Sequence, residues 1–380
     1  MKLKTIALLF IGILFFKSAL MADPGNRKAP QRFFVGTYTD SGSEGIYSFS
    51  LDPGTGKLTD NGLAAKTNNP SFLALTSDGR FLLAVHETKD ENGSNMGFIE
   101  SFSVNKDDNR LISLGKVSSG GAHPCYVSVN QNGAVLAANY TGGSVALFQL
   151  DKSGKLSDTL NVQQHYGSGP NKERQATPHV HSAFFEPESD RIFVADLGVD
   201  KVYVYQINKF GSKLVSAPFP AISMPPGSGP RHLAFHPKLK VVYVINELAN
   251  AVSVVSLNKD GSFTILETVS TLPSGYDKPN TSADIHISND GRFLYATNRG
   301  SNSIAIFSVD PNDGRIVQIG QESTRGDIPR NFTFSPDDDY LLVANQNSQN
   351  IVAFRRDPNT GKLQYTDQIK ALKPVCLLFR

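Results

Sequence analysis

Six side chains stand out for what they could do chemically: His179 and His181 in TPHVHS, Arg231 and Glu247 at the two ends of GPRHLAFHPKLKVVYVINE, Arg299 in YATNRG, and Arg330 in IPRNF. Guanidiniums recognise carboxylate or phosphate by paired hydrogen bonds and can stabilise an oxyanion as it forms. An imidazole or a carboxylate beside them can take a proton from water and return it to a leaving group. If these residues converge, His181, Arg231, Glu247 and Arg299 form a catalytic set, with His179 and Arg330 as substrate-binding neighbours. Taken alone, Arg231 and Glu247 on one hairpin could be a mere ion pair. Convergence of four functional residues, an imidazole, a carboxylate and two guanidiniums, argues against that.

The elements that would have to position them are short strands. From Gln31 onward no long 3.6-residue periodicity appears, only alternating strands with turn signals every ten or so residues. A unit recurs with openings at Pro70, Pro124, Pro178, Pro230, Ala283 and Pro329, a period of about fifty residues. Each holds two apolar runs around a polar turn, then a third strand such as SIAIFSVD and a weaker fourth. Four antiparallel strands per unit at this period give an all-β fold, a β-propeller whose sheets stack around a channel. FFVGTY from Phe33 matches a second strand without its first, and PVCLLF from Pro374 supplies the missing one. The two termini therefore share a blade, the ring closes at seven, and residues 31–380 form one domain.

The start of each inner strand and the end of the next share one mouth of the channel. The starts are Ser71, Cys125, His181, Arg231, Ala283, Arg330 and Val375, and the ends are Tyr38, Glu87, Tyr140, Leu197, Glu247, Arg299 and Gln346. His181, Arg231, Glu247 and Arg299 thus fall on three consecutive blades. Strand alternation would set His179 on the same side as His181, and Arg330 on the following blade.

Other features read as structural. Asn139, Asp196, Asn246, Asn298 and Asn345 precede strand ends in most units, which fits strand-end hydrogen bonds better than a calcium or magnesium ring. His123, His232, His236 and His286 read as loop or core histidines. Cys125 and Cys376, the chain's two cysteines, read as small core residues. The Gly-Ser-Gly-Pro segments at 167–170 and 227–230 are interblade turns. No Gly-x-Ser-x-Gly elbow, zinc spacing or nucleotide fingerprint is present. With 37 basic and 35 acidic residues, bulk charge makes no case for nucleic acid or an anionic membrane. Residues 1–22 read as a cleaved export signal, with Lys2 and Lys4 before an apolar run from Ile6 to Phe16. That run is shorter than the roughly 18 to 20 residues of a membrane span. A periplasmic or secreted monomer follows.

FVGTYT, SEGIYSFSLD, TPHVHS, GPRHLAFHP, YVINE and YATNRGSNSIAIF together resemble the seven-bladed propeller lactonase family, of the bacterial 6-phosphogluconolactonase and fungal carboxy-muconate cyclase type, across Phe33 to Arg380. The resemblance implies hydrolysis of an anionic sugar lactone with His181, Arg231, Glu247 and Arg299 as catalytic residues. It implies no cofactor, while a divalent metal stays open. The sugar-phosphate lactonase works in the cytoplasm, so an export signal bears on the substrate more than on the chemistry. A muconate-type cycloisomerase using the same residues, and a non-catalytic propeller binding a glycan or protein, are the alternatives.

Overall fold

The computed structural model describes residues 29–89, 96–187 and 189–380. The export signal read at residues 1–22 lies outside them. The described residues form seven four-stranded antiparallel sheets, each a simple meander except the one that joins the termini. In that sheet the C-terminal strand Pro374–Phe379 pairs with Gln31–Thr37, which leads to Gly45–Leu51 and Leu58–Lys66. Closure through the ends of the chain is therefore as the two sequence fragments require. Counting this as blade one, blade four runs from Val180–Phe185 to Leu214–Ser223, blade five from Pro230–Phe235 to Phe263–Ser270, and blade six from Ser282–Ile287 to Ile316–Ser323. Among the described residues the one helical piece is a short 3-10 turn at Leu197–Val199.

Second strands such as Val241–Asn246 and Phe293–Asn298 are buried throughout, because a middle strand is covered on both faces by adjacent blades. Their apolar residues pack between blades: Tyr243, Ile245, Val252 and Val254 of blade five meet Leu294, Ala296 and Phe307 of blade six. Burying side chains of this size is worth roughly 1.5–3 kcal/mol each. Tyrosines fit such a layer only where their hydroxyls find acceptors. Tyr243 donates to Gly314 O at 2.8 Å and Tyr295 to Gly361 O at 2.7 Å, each on the following blade.

Inner strands carry the feature that matters for the site. Their pairing slips at the second residue in blades three, four, five and seven: between Pro124 and Tyr126, Val180 and Ser182, Pro230 and His232, and Pro329 and Asn331. The residues skipped are Cys125, His181, Arg231 and Arg330. A bulge leaves one residue unpaired and re-aims its side chain. Proline opens three of these strands, a place where its missing N–H costs nothing.

Candidate functional site

Arg231 is set by what precedes it. Gly227 N and Gly229 N both donate to the Asp200 carboxylate at 2.7 Å. Gly229 has φ of +62°, and a Cβ there would lie 2.6 Å from Leu248 Cγ, so only glycine turns the chain into the strand. The bulge then points Arg231 inward, 2% exposed, with its Nη1 donating to Ala283 O at 2.5 Å. Asp200 also accepts from Gln175 at 2.7 Å, which anchors the loop that carries Arg174.

At the centre lies Glu247, 3% exposed. Its Oε2 is 3.1 Å from Arg231 Nε and 2.8 Å from Arg299 Nη2, and its Oε1 accepts from Arg174 Nη2 at 2.6 Å. The Arg231 contact is an ion pair rather than a hydrogen bond, because its angle leaves Nε without a partner. Burial raises the carboxyl's pKa, but Arg299, Arg231 and Arg174 together outweigh it and bring it down to about 2. Arg231 is itself pulled down to about 10 by burial and by the Arg299 and Arg330 charges. It stays cationic at neutral pH.

His181 is 5% exposed. Its ring stands edge-on to Tyr140 at 5.5 Å and to His232 at 5.2 Å. Burial, then the charge of Arg231, holds it well below the ordinary imidazole range, so it is neutral. Cys125 Sγ lies 3.8 Å from His181 Nδ1, yet burial pushes that thiol up and keeps it protonated. Both cysteines are free and buried, as core residues.

Across the mouth stands a looser group. Tyr38 donates to Glu87 Oε2 at 2.9 Å, Arg330 Nη2 is 4.0 Å from the same oxygen, and the Arg330 guanidinium sits over the Tyr38 ring at 5.5 Å. Arg174, Arg231, Arg299 and Arg330 thus share the mouth with the carboxylates Glu247 and Glu87.

The strand-register expectation is met for His181, Arg231, Glu247, Arg299 and Arg330, which one mouth brings together. It needs correction for His179. That residue precedes its strand, which starts at Val180 and is bulged at His181, so alternation does not relate the two. His179 stacks on Tyr140 at 4.5 Å, with Nδ1 3.1 Å from Tyr140 O. The two histidines meet on one tyrosine from different sides. Arg174, which also donates to Tyr140 Oη at 3.2 Å, escaped the sequence reading because it lies in a spacer between units. Its signal was a lone arginine shortly after the turn formers Gly169, Pro170 and Asn171.

The strand-end asparagines behave structurally: Asn139, Asn298 and Asn345 donate to Ser119 O, Thr271 O and Thr324 O, and Asn246 to Ser253 Oγ. Among the described residues no group of three or more His, Cys, Asp or Glu could hold a metal ion. No helix among them is long and apolar enough to cross a membrane.

The described residues form a closed all-β propeller whose mouth gathers four arginines around two carboxylates. The sequence pattern described as "Lactonase, 7-bladed beta-propeller" matches residues 32–379, and the chain belongs to that family. It is 39% identical over 305 residues to a Bacillus subtilis protein named 6-phosphogluconolactonase, covering 80% of this chain and 84% of the relative. A Formosa agariphila protein of the same name is 38% identical over 308 residues, covering 80% and 86%. The periplasmic gluconolactonase of Pseudomonas aeruginosa superposes with a TM-score of 0.87 at 33% identity, covering 92% of this chain and 99% of the other.

Proposed function

We propose that the protein hydrolyses the internal ester of an anionic sugar lactone, with 6-phosphogluconolactone as the first candidate. The observation that carries this reading is the charge balance of the mouth, four guanidiniums against two carboxylates. An excess of two positive charges in a partly desolvated cleft favours a ligand that brings negative charge. In this reading Arg231 and Arg299 face the carbonyl oxygen as it becomes an oxyanion. Arg330 is nearly buried, and among the described residues its one ion contact is the Glu87 carboxylate at 4.0 Å, beside the Tyr38 ring, so it is the guanidinium best able to take the acidic substituent.

Glu247 orders the arginines rather than moving protons. Both of its oxygens are engaged by guanidiniums, Oε1 by Arg174 and Oε2 by Arg231 and Arg299, so neither is free to take a proton from water. A neutral imidazole has to carry the proton. Hydrolysis needs no metal in this scheme. The match to a periplasmic relative supports export, and we expect the mature enzyme outside the cytoplasm as a monomer.

The test is a panel of phosphorylated and unphosphorylated aldonolactones, each assayed with and without chelator and with product analysis. Hydroxy-acid release, fastest on the phosphorylated members and lost in Arg299→Ala and Glu247→Gln, is expected. Unchanged turnover in both variants overturns the assignment, and an isomerised product without water uptake favours the cycloisomerase.

A further inference from the structure

Beneath the arginines lies a second polar layer. His232, the residue after Arg231, is 4% exposed. Its Nδ1 is 2.7 Å from Asp284 Oδ1. An ionised carboxylate can only accept, so the imidazole proton sits on Nδ1 and the lone pair on Nε2. Asp284 is fixed in turn. Its Oδ1 accepts from Ile285 N at 3.0 Å, and its Oδ2 from Asn331 Nδ2 at 2.6 Å, Phe332 N at 3.2 Å and His286 Nε2 at 3.1 Å. The carboxylate is thus charged, immobile and aimed at His232.

On the opposite edge of the ring, Nε2 accepts a long hydrogen bond from Arg231 Nη1 at 3.4 Å, which an incoming water would have to replace. Ser71, Cys125, His181, Arg231, His232 and Arg330 border a small axial cavity, with a volume of about 10 Å³ for the centre of a water-sized sphere. That is the space of a single water molecule. The hydroxyl of Ser71, 3% exposed, is buried there with no hydrogen-bond partner among the described residues. Leaving a buried hydroxyl unpaired is unfavourable, and a water in the cavity would offset that.

We propose that this cavity seats the water that opens the lactone, and that His232, oriented by Asp284, is the base that takes its proton. The inference rests on the hydrolase reading above and deepens it. The water oxygen bonds to the carbonyl carbon while its proton passes to His232 Nε2, and the carbonyl electron pair moves onto the oxygen facing Arg231 and Arg299. The bond from that carbon to the ring oxygen then breaks, and the ring oxygen takes the proton back from His232. One water is consumed and one hydroxy acid leaves. His181, in the same wall, has no carboxylate partner among the described residues; its Nδ1 faces only the Cys125 thiol at 3.8 Å, a weak partner beside a carboxylate. It can donate a hydrogen bond to the substrate.

The full chain is assayed with a phosphorylated aldonolactone as wild type, His232→Gln and Ser71→Val. In His232→Gln, kcat is expected to fall about 100-fold or more, with KM within about threefold and unchanged calorimetric affinity for the hydroxy-acid product. Ser71→Val keeps both histidines, puts a methyl group into the cavity and is expected to lower kcat about tenfold. If His232→Gln does not fold, Ser71→Val decides. Full kcat in either variant overturns the proposal while the hydrolase reading stands. A His232→Gln protein that loses product binding in parallel with kcat also overturns it, marking a packing role. A wild type that opens no lactone in the panel removes the hydrolase reading and this inference together.

Discussion

Two buried carboxylates on neighbouring blades, Glu247 and Asp284, are partnered in opposite ways. Glu247 meets three guanidiniums, Arg174, Arg231 and Arg299. Asp284 meets two imidazoles, one amide and two backbone N–H groups. Guanidiniums carry their charge at any ordinary pH, so the Glu247 cluster is a fixed, net positive surface suited to holding an anion. Imidazoles can be neutral, so Asp284 fixes the tautomer of His232 and turns its Nε2 toward Arg231 Nη1 and the axial cavity. The same functional group, buried to the same degree, gathers permanent cations in one layer and orients an imidazole in the other.

The largest effect is expected from removing residues 373–380. That deletion takes away the strand paired with Gln31–Thr37 and the Leu377 N–H that holds Asn331 Oδ1 at 2.7 Å. It opens the ring and releases the Asp284 cradle together. No cooperative thermal transition should remain by circular dichroism.

Next, Glu247→Ala should cost about 3–5 kcal/mol, because it leaves buried guanidiniums uncompensated. Asp284→Ala should cost about 1–3 kcal/mol, because it strands mainly neutral donors. Denaturant unfolding of both variants orders them, and a larger loss at Asp284 would break the comparison.

The two carboxylate clusters should also separate on a pH titration of stability. His232 is held down to about 4 from an ordinary 6.5, by burial and then by the Arg231 charge, against the pull of Asp284. The unfolded chain takes that proton first, so stability is full above pH 6.5 and falls as the pH drops toward 4. Glu247 is held down to about 2 from 4.5. Its contribution is full above pH 4.5 and is lost as the pH falls toward 2. Each step amounts to about 3 kcal/mol. Replacing His232 by Gln should shrink the upper step, to which the similarly depressed His181 also contributes, and leave the lower.

The smallest effect on stability is expected at Arg330, which has only the 4.0 Å ion contact and a ring beneath it. Arg330→Met should raise KM for a phosphorylated lactone by about tenfold while leaving KM for its unphosphorylated counterpart unchanged. Equal effects on both substrates would show that Arg330 does not read the acidic group.

Much of this was legible from residues alone. FFVGTY and PVCLLF identify the shared blade because a strand fragment that lacks its partner leaves backbone groups unpaired. Counting strand starts and ends placed His181, Arg231, Glu247 and Arg299 at one mouth without coordinates. His232 was read as a satisfied core histidine, and Asp284 does satisfy it. What escaped that reading is the second edge of its ring, which shares a cavity wall with His181.

The sequence by itself determined the ring, its closure and which residues reach one mouth, because alternation, turn chemistry and period are local properties repeated in every blade. Only the tertiary structure decided where those side chains point and what charge they hold. The bulges at His181, Arg231 and Arg330 break the alternation that a sequence can count. Arg174 arrives from a spacer loop, and Asp284 meets His232 across 52 positions. Protonation follows from burial and from such distant neighbours, and neither is a property of adjacent residues.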